Sequence, residues 1–119
     1  MFNKDYFEEI LVRSHKRCLN NNLKRDIKFP KRILSDESLK LILEKNKDMI
    51  KIALPFMKIL YDFLKGSGFS LYVTDKDGIV LTIIGDEDII DAQAETGIKV
   101  GTDMSEESVG TNAIGTALY

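Results

Sequence analysis

Residues 69–84 read Phe-Ser-Leu-Tyr-Val-Thr-Asp-Lys-Asp-Gly-Ile-Val-Leu-Thr-Ile-Ile, and this stretch decides the fold. Residues 69–74 and 79–84 alternate along the chain as strands do. Between them, Asp77-Gly78 supplies a tight turn, because glycine takes a positive φ cheaply. The stretch is therefore a β-hairpin. Strict alternation places Phe69, Leu71, Val73, Ile79, Leu81 and Ile83 on a more apolar face, expected to pack on helices. Ser70, Tyr72, Thr74, Val80, Thr82 and Ile84 form a mixed face, whose hydroxyls between apolar walls suit a small-molecule pocket.

Upstream of the hairpin the period is helical. Tyr6, Phe7, Ile10, Leu11, Ser14 and Cys18 form one stripe, which predicts a helix over residues 3–19. Asn3 is its expected N-cap, and the Asn20-Asn21-Asn22 run ends it. A basic connector containing Pro30 follows over residues 24–32. A second helix is expected from a Ser35 cap through residues 36–65, about 45 Å long at the standard rise. Its stripe runs from Leu39 to Leu64, and Gly66 is a natural stop. Pro55 removes one hydrogen bond and should kink or split this helix near Ala53.

Downstream of the hairpin, acidic residues 86–95 read as a short helix, with Asp86, Glu87, Asp88 and Asp91 on a solvated face. Residues 97–104 read as loop, and Ser105 as the cap of a last helix with Glu106 and Glu107 in its first turn. Gly110 and Gly115 weaken that helix, so something else must favour them, and close approach to a sheet or to a ligand is the usual reason.

The composition narrows the function classes. The 119 residues contain one histidine and one cysteine, which nearly excludes a Ser-His-Asp triad or a two-histidine metal site and leaves no internal disulfide. No catalytic, metal or cofactor residues are nominated. Residues 13–32 carry eight Lys/Arg and one Asp. With Phe29 as the sole interleaved aromatic, a solvated connector is preferred to a nucleic-acid arm. There is neither a run of membrane-spanning length nor a phosphate-binding Gly-x-x-x-x-Gly-Lys-Ser/Thr loop, and a cytoplasmic chain without membrane contact is expected.

The residues also carry a resemblance. Val-Gly-Thr-Asn-Ala-Ile-Gly-Thr-Ala-Leu at 109–118 resembles the signature of GAF sensory domains in sigma-54-dependent transcriptional activators of the acetoin-operon type. Arg13-Ser14 with Arg17-Cys18 resembles the family's Arg-x-Ser-Trp-x-Arg-Cys, with His15 in place of Trp. Ala53-Leu54-Pro55-Phe56-Met57 resembles Ala-x-Pro-x-Met, and Met104-Ser105-Glu106 resembles Trp-Ser-Glu. Thr74 to Gly78 resembles the family's strand-turn-strand.

The resemblance implies an α+β fold: long helices packed on a partial antiparallel GAF-like sheet, made of the hairpin plus the glycine-rich helix and completed by oligomerisation. Residues 1–34 would be an N-terminal helix and connector. Residues 35–119 would be the long helix and the first half of a GAF domain, without the downstream sheet, ATPase and DNA-binding domains.

It further implies a non-enzymatic, signal-sensing domain that binds a small metabolite and controls a downstream AAA+ ATPase. Tyr72, Thr74, Thr82, Met104, Thr111, Asn112 and Thr116 would line the ligand site. A homodimer is expected. DNA and sigma-54 RNA polymerase would be reached through the missing domains, with no direct nucleic-acid contact here. Two rivals stand beside this reading. One is a structural dimerisation module without a ligand. The other is a redox or gas sensor using Cys18 and His15, which would lie away from the pocket.

Overall fold

The structure is a computed structural model that describes residues 3–23 and 29–119. Helix α1 (Lys4–Asn20) begins as the sequence suggests: the Asn3 side chain accepts hydrogen bonds from the backbone N–H groups of Asp5 at 3.1 Å and Tyr6 at 3.3 Å. It ends in the asparagine run, where Asn22 takes the left-handed conformation at φ 59°. Residues 24–28 of the basic connector lie outside the described residues.

The expected thirty-residue helix is two helices, α2 (Asp36–Lys45) and α3 (Lys47–Leu64), and the break is not at Pro55. It falls at Asn46, whose side-chain amide donates to the Ile42 carbonyl at 2.8 Å while its backbone N–H donates to the same oxygen at 3.1 Å. The side chain thus competes for a helical acceptor, and Asn46 leaves helical geometry at φ −105°, ψ 10°. Pro55 stays inside α3 on an exposed flank, where water can reach the carbonyl that lost its donor. Ser35 caps α2 as expected, accepting from the Ser38 N–H at 3.3 Å.

Strands β1 (Ser70–Thr74) and β2 (Val80–Gly85) form the hairpin. Asp75 organises its turn: one carboxylate oxygen accepts from the N–H groups of Asp77 and Ile79, each at 2.9 Å. Gly78 has φ +88°. The expected faces need correction. Thr74 pairs with Val80 as strict alternation requires, but a bulge follows, and Val73 then pairs with Thr82, Tyr72 with Ile83 and Leu71 with Ile84. The extra residue is Leu81, which moves the rest of β2 by one position against β1. Leu71 and Val73 therefore share a face with Ile84 and Thr82, not with Ile83 and Leu81.

Residues 101–104, expected as loop, continue the ladder. The Val80 N–H donates to the Thr102 carbonyl at 2.9 Å, and the Met104 N–H to that of Gly78 at 2.9 Å. On the far side, the Leu34 N–H donates to Gly101 at 3.0 Å and the Asp103 N–H to Arg32 at 3.0 Å. This pairing is carried by the backbone, so no side-chain alternation announced it. The best-buried apolar residues, Ile79, Val80 and Leu81, sit at this junction with Thr102. A two-stranded hairpin is marginal alone. Here it is flanked on one edge by 101–104 and covered by α3 and α4 (Glu87–Glu95).

Asp86 is also more than part of a solvated face. Its carboxylate accepts from the Tyr61 hydroxyl at 2.8 Å and the N–H groups of Gly66 at 3.0 Å and Gly68 at 3.2 Å, tying the end of α3 to the start of α4. The last helix is two short turns, α5 (Glu106–Val109) and α6 (Ala113–Ala117), separated at Gly110 with φ +83°. Asn112, rather than Ser105, supplies the side-chain cap, accepting from Ile114 and Gly115 at 3.0 and 2.9 Å. Close approach explains Gly115, since a Cβ there would lie 2.6 Å from the Met104 carbonyl oxygen. The whole is an α+β fold built on a two-stranded antiparallel sheet.

Candidate functional site

The stripe of α1 that contains Ser14, Arg17 and Cys18 faces the glycine-rich turns, because i, i+3 and i+4 share a helix face. Glu106, the first residue of α5, is 1 % exposed. Arg17 meets it with a two-pronged ion pair, Nε to Oε2 at 2.7 Å and Nη2 to Oε1 at 2.9 Å. The Thr116 hydroxyl donates to the same carboxylate at 2.9 Å. Ser14, fully buried, lies 2.6 Å from the Thr111 hydroxyl and 3.3 Å from that of Thr116. The Cys18 thiol donates weakly to the Glu106 carbonyl at 3.9 Å. The Tyr119 ring covers the Arg17 guanidinium at 3.9 Å. Every buried polar side chain among the described residues has a partner.

The electrostatics follow from this packing. Burial alone would push the Glu106 carboxyl up, but hydrogen bonds from Arg17, Ser14 and Thr116 together with the Arg17 charge outweigh it and hold the group below its ordinary value. The Arg17 guanidinium is raised, first by its hydrogen bond to Glu106. Asp86 is lowered, chiefly by the Gly66 N–H and the Tyr61 hydroxyl. Glu106 is therefore an ionised carboxylate in the interior, which holds α1 against α5 and α6.

Beside this network a groove of about 720 Å³ opens between α1 and α6. Tyr6, Phe7, Ile10 and Leu11 line one wall, Ala113, Ala117 and Tyr119 the other, with Glu9, Arg13, Arg17, Thr111, Asn112 and Thr116 as polar groups. Its volume is that of a small-molecule site, and its make-up is mostly apolar with a few polar groups.

The seven residues nominated from sequence do not converge on one place. Thr111, Asn112 and Thr116 line the groove. Met104 is buried next to it, its carbonyl accepting from the Asn112 amide at 2.8 Å. Tyr72, Thr74 and Thr82 stay on the hairpin, where the Tyr72 hydroxyl donates to Gln93 of α4. Cys18, expected to lie away from the site, is buried 3.8 Å from the Thr111 hydroxyl. Ser14, Arg17 and Glu106 were not nominated, although their helical spacing and their place in the quoted motifs were visible. The signal was divided between segments about ninety residues apart, and nothing in either segment says that it meets the other.

No family model matches the chain. Over 117 residues it is 59% identical to the "Signal-transduction and transcriptional-control protein" of Clostridium beijerinckii, covering 98% of this chain and 18% of that protein. Over 112 residues it is 30% identical to the "Acetoin catabolism regulatory protein" of Cupriavidus necator, covering 93% of this chain and 17% of that protein. The chain is similar to proteins named for regulation. It spans less than a fifth of the length of these curated relatives. Its fold matches the crystal structure of the E. coli DhaR(N)–DhaL complex, with a TM-score of 0.85 at 19% identity over 92% of this chain and 37% of that one. At that identity the likeness is one of fold. No described helix is long and apolar enough to cross a membrane.

Proposed function

We propose that this chain is the signal-sensing, non-enzymatic input segment of a bacterial transcriptional regulator of the sigma-54-dependent kind, with a GAF-like sheet continued by the rest of the protein. A small effector occupies the groove between α1 and α6, and its presence biases a downstream AAA+ ATPase. DNA and RNA polymerase are reached through other domains, and the protein works in the cytoplasm. The observation that carries the proposal is the groove itself, whose walls on α1 and α6 are tied together through Glu106, paired with Arg17 of α1 and accepting from Thr116 of α6. A ligand that touches both walls favours the docked position of α1, and that differential affinity is the driving force of the switch. The names of the two regulatory relatives support a role in control, and the quoted sequence motifs support the sigma-54 class.

The test is a thermal-shift screen of the chain against acetoin, diols, short-chain acids, amino acids and purines. A ligand at a hundred times its Kd adds roughly 2.7 kcal/mol to the folded state. One chemical class is expected to raise Tm. No shift with any class would overturn effector binding by this segment. A second reading, a structural dimerisation module, is favoured by one observation: a long apolar stripe on α3 stands exposed.

A further inference from the structure

The groove between α1 and α6 has walls of aromatic and aliphatic side chains, yet three charged residues line it, Glu9, Arg13 and Arg17. Each already has an opposite charge within the chain. Arg13 pairs with Glu9 one helical turn away. Arg17 gives Nε and Nη2 to the buried Glu106, and the Tyr119 ring covers its guanidinium face. Taken with Glu106, the charges at the groove cancel.

The uncharged polar side chains are committed in the same way. The Asn112 amide donates to the carbonyls of Met104 and Gly110, each at 2.8 Å, and its oxygen accepts from the N–H groups of Ile114 and Gly115. Both of its donor hydrogens and its acceptor are thereby engaged. Thr116 gives its hydroxyl proton to Glu106, and the Thr111 hydroxyl lies 2.6 Å from that of Ser14. The phenols of Tyr6 and Tyr119 complete the polar lining and are uncharged at neutral pH.

We propose that the effector of this groove is an uncharged, mostly apolar molecule, and that the groove discriminates against carboxylates and amines. The inference rests on the effector reading above and narrows it. A charged ligand leaves water on entering, which costs free energy unless an unpaired opposite charge receives it. Here a carboxylate would have to displace Glu9 from Arg13 or Glu106 from Arg17, and an amine would have to displace the arginines. A polyol fares little better, because the hydrogen-bond donors of Asn112 and Thr116 are taken. An apolar ring or chain meets neither obstacle and gains by burial against Ile10, Leu11 and Ala117.

An NMR titration of the isotope-labelled 119-residue chain with two matched sets of probes tests this. One set is benzyl alcohol, benzoate and benzylamine; the other is butanol, butyrate and butylamine. Within each set the apolar body is held and the charge changes. At neutral pH the alcohol of at least one set is expected to bind with a Kd about tenfold or more below that of either charged member. Glu9→Gln, at an exposed position, frees Arg13 and should lower the benzoate Kd about threefold while leaving that of benzyl alcohol unchanged. A charged member that binds as tightly as its alcohol overturns the proposal and leaves effector binding standing, and so does a benzoate Kd indifferent to Glu9→Gln. If none of the six binds, the apolar class falls. A compound of another class that then raises Tm in the broader screen preserves effector binding, and silence throughout removes both.

Discussion

Helices α1 and α3 are held to the rest of the molecule by opposite means. α1 docks through a buried polar network of Ser14, Arg17, Glu106, Thr111 and Thr116, and leaves a groove beside the contact. α3 docks through apolar side chains on the hairpin and leaves an apolar stripe. A polar contact is directional and fails as a unit when one member is removed. An apolar contact is graded and tolerant of exchange. The first kind suits a junction that must occupy one of two states. The second suits a platform that stays put.

The largest effect should come from the polar junction. Glu106→Ala leaves Arg17 and Thr116 without their acceptor and should cost about 2–4 kcal/mol in chemical denaturation. A cost under about 0.5 kcal/mol would mean that the network merely decorates the contact. Gly115→Ala comes next. Its Cβ would stand 2.6 Å from the Met104 carbonyl oxygen and 2.7 Å from the Glu106 backbone nitrogen, two atoms that cannot swing aside. A loss of about 1–3 kcal/mol is expected, read in the same assay.

The smallest effect is the acid limb. The Glu106 carboxyl lies below its ordinary value of 4.5 in the folded chain. Its ionisation therefore supports folding fully above pH 4.5, and that support is lost as pH falls through the folded value. Tm measured against pH should fall less steeply on the acid side in Glu106→Gln than in wild type. Parallel acid limbs would show that the pair is not what acid breaks.

The two regions also differ in how far the sequence revealed them. Periodicity and turn chemistry placed α1, the hairpin and the Asn3 and Ser35 caps, because those signals are local. Asn46 escaped because its effect depends on where a side-chain amide points, and Pro55 misled because an exposed flank tolerates a lost hydrogen bond. The hairpin faces were misassigned because a single bulged residue, Leu81, changes the phase of a strand. Within the candidate site, Thr111, Asn112 and Thr116 were legible from the glycine-rich run. Their partners on α1 were not, since contact between residues 14–18 and 106–116 is a tertiary fact. The exposed stripe of α3 was visible as a helical pattern, but its exposure was not.

The proposed effector site is the groove at the polar junction and not the hairpin. The direct measurement repeats the thermal-shift panel on two variants, Ala117→Leu, which fills the groove and replaces neither member of the Arg17–Glu106 pair, and Thr82→Leu, which alters the hairpin. Ala117→Leu is expected to abolish the shift seen in wild type, and Thr82→Leu to retain it. Loss of the shift in Thr82→Leu with retention in Ala117→Leu would place the effector on the sheet and rule out the groove.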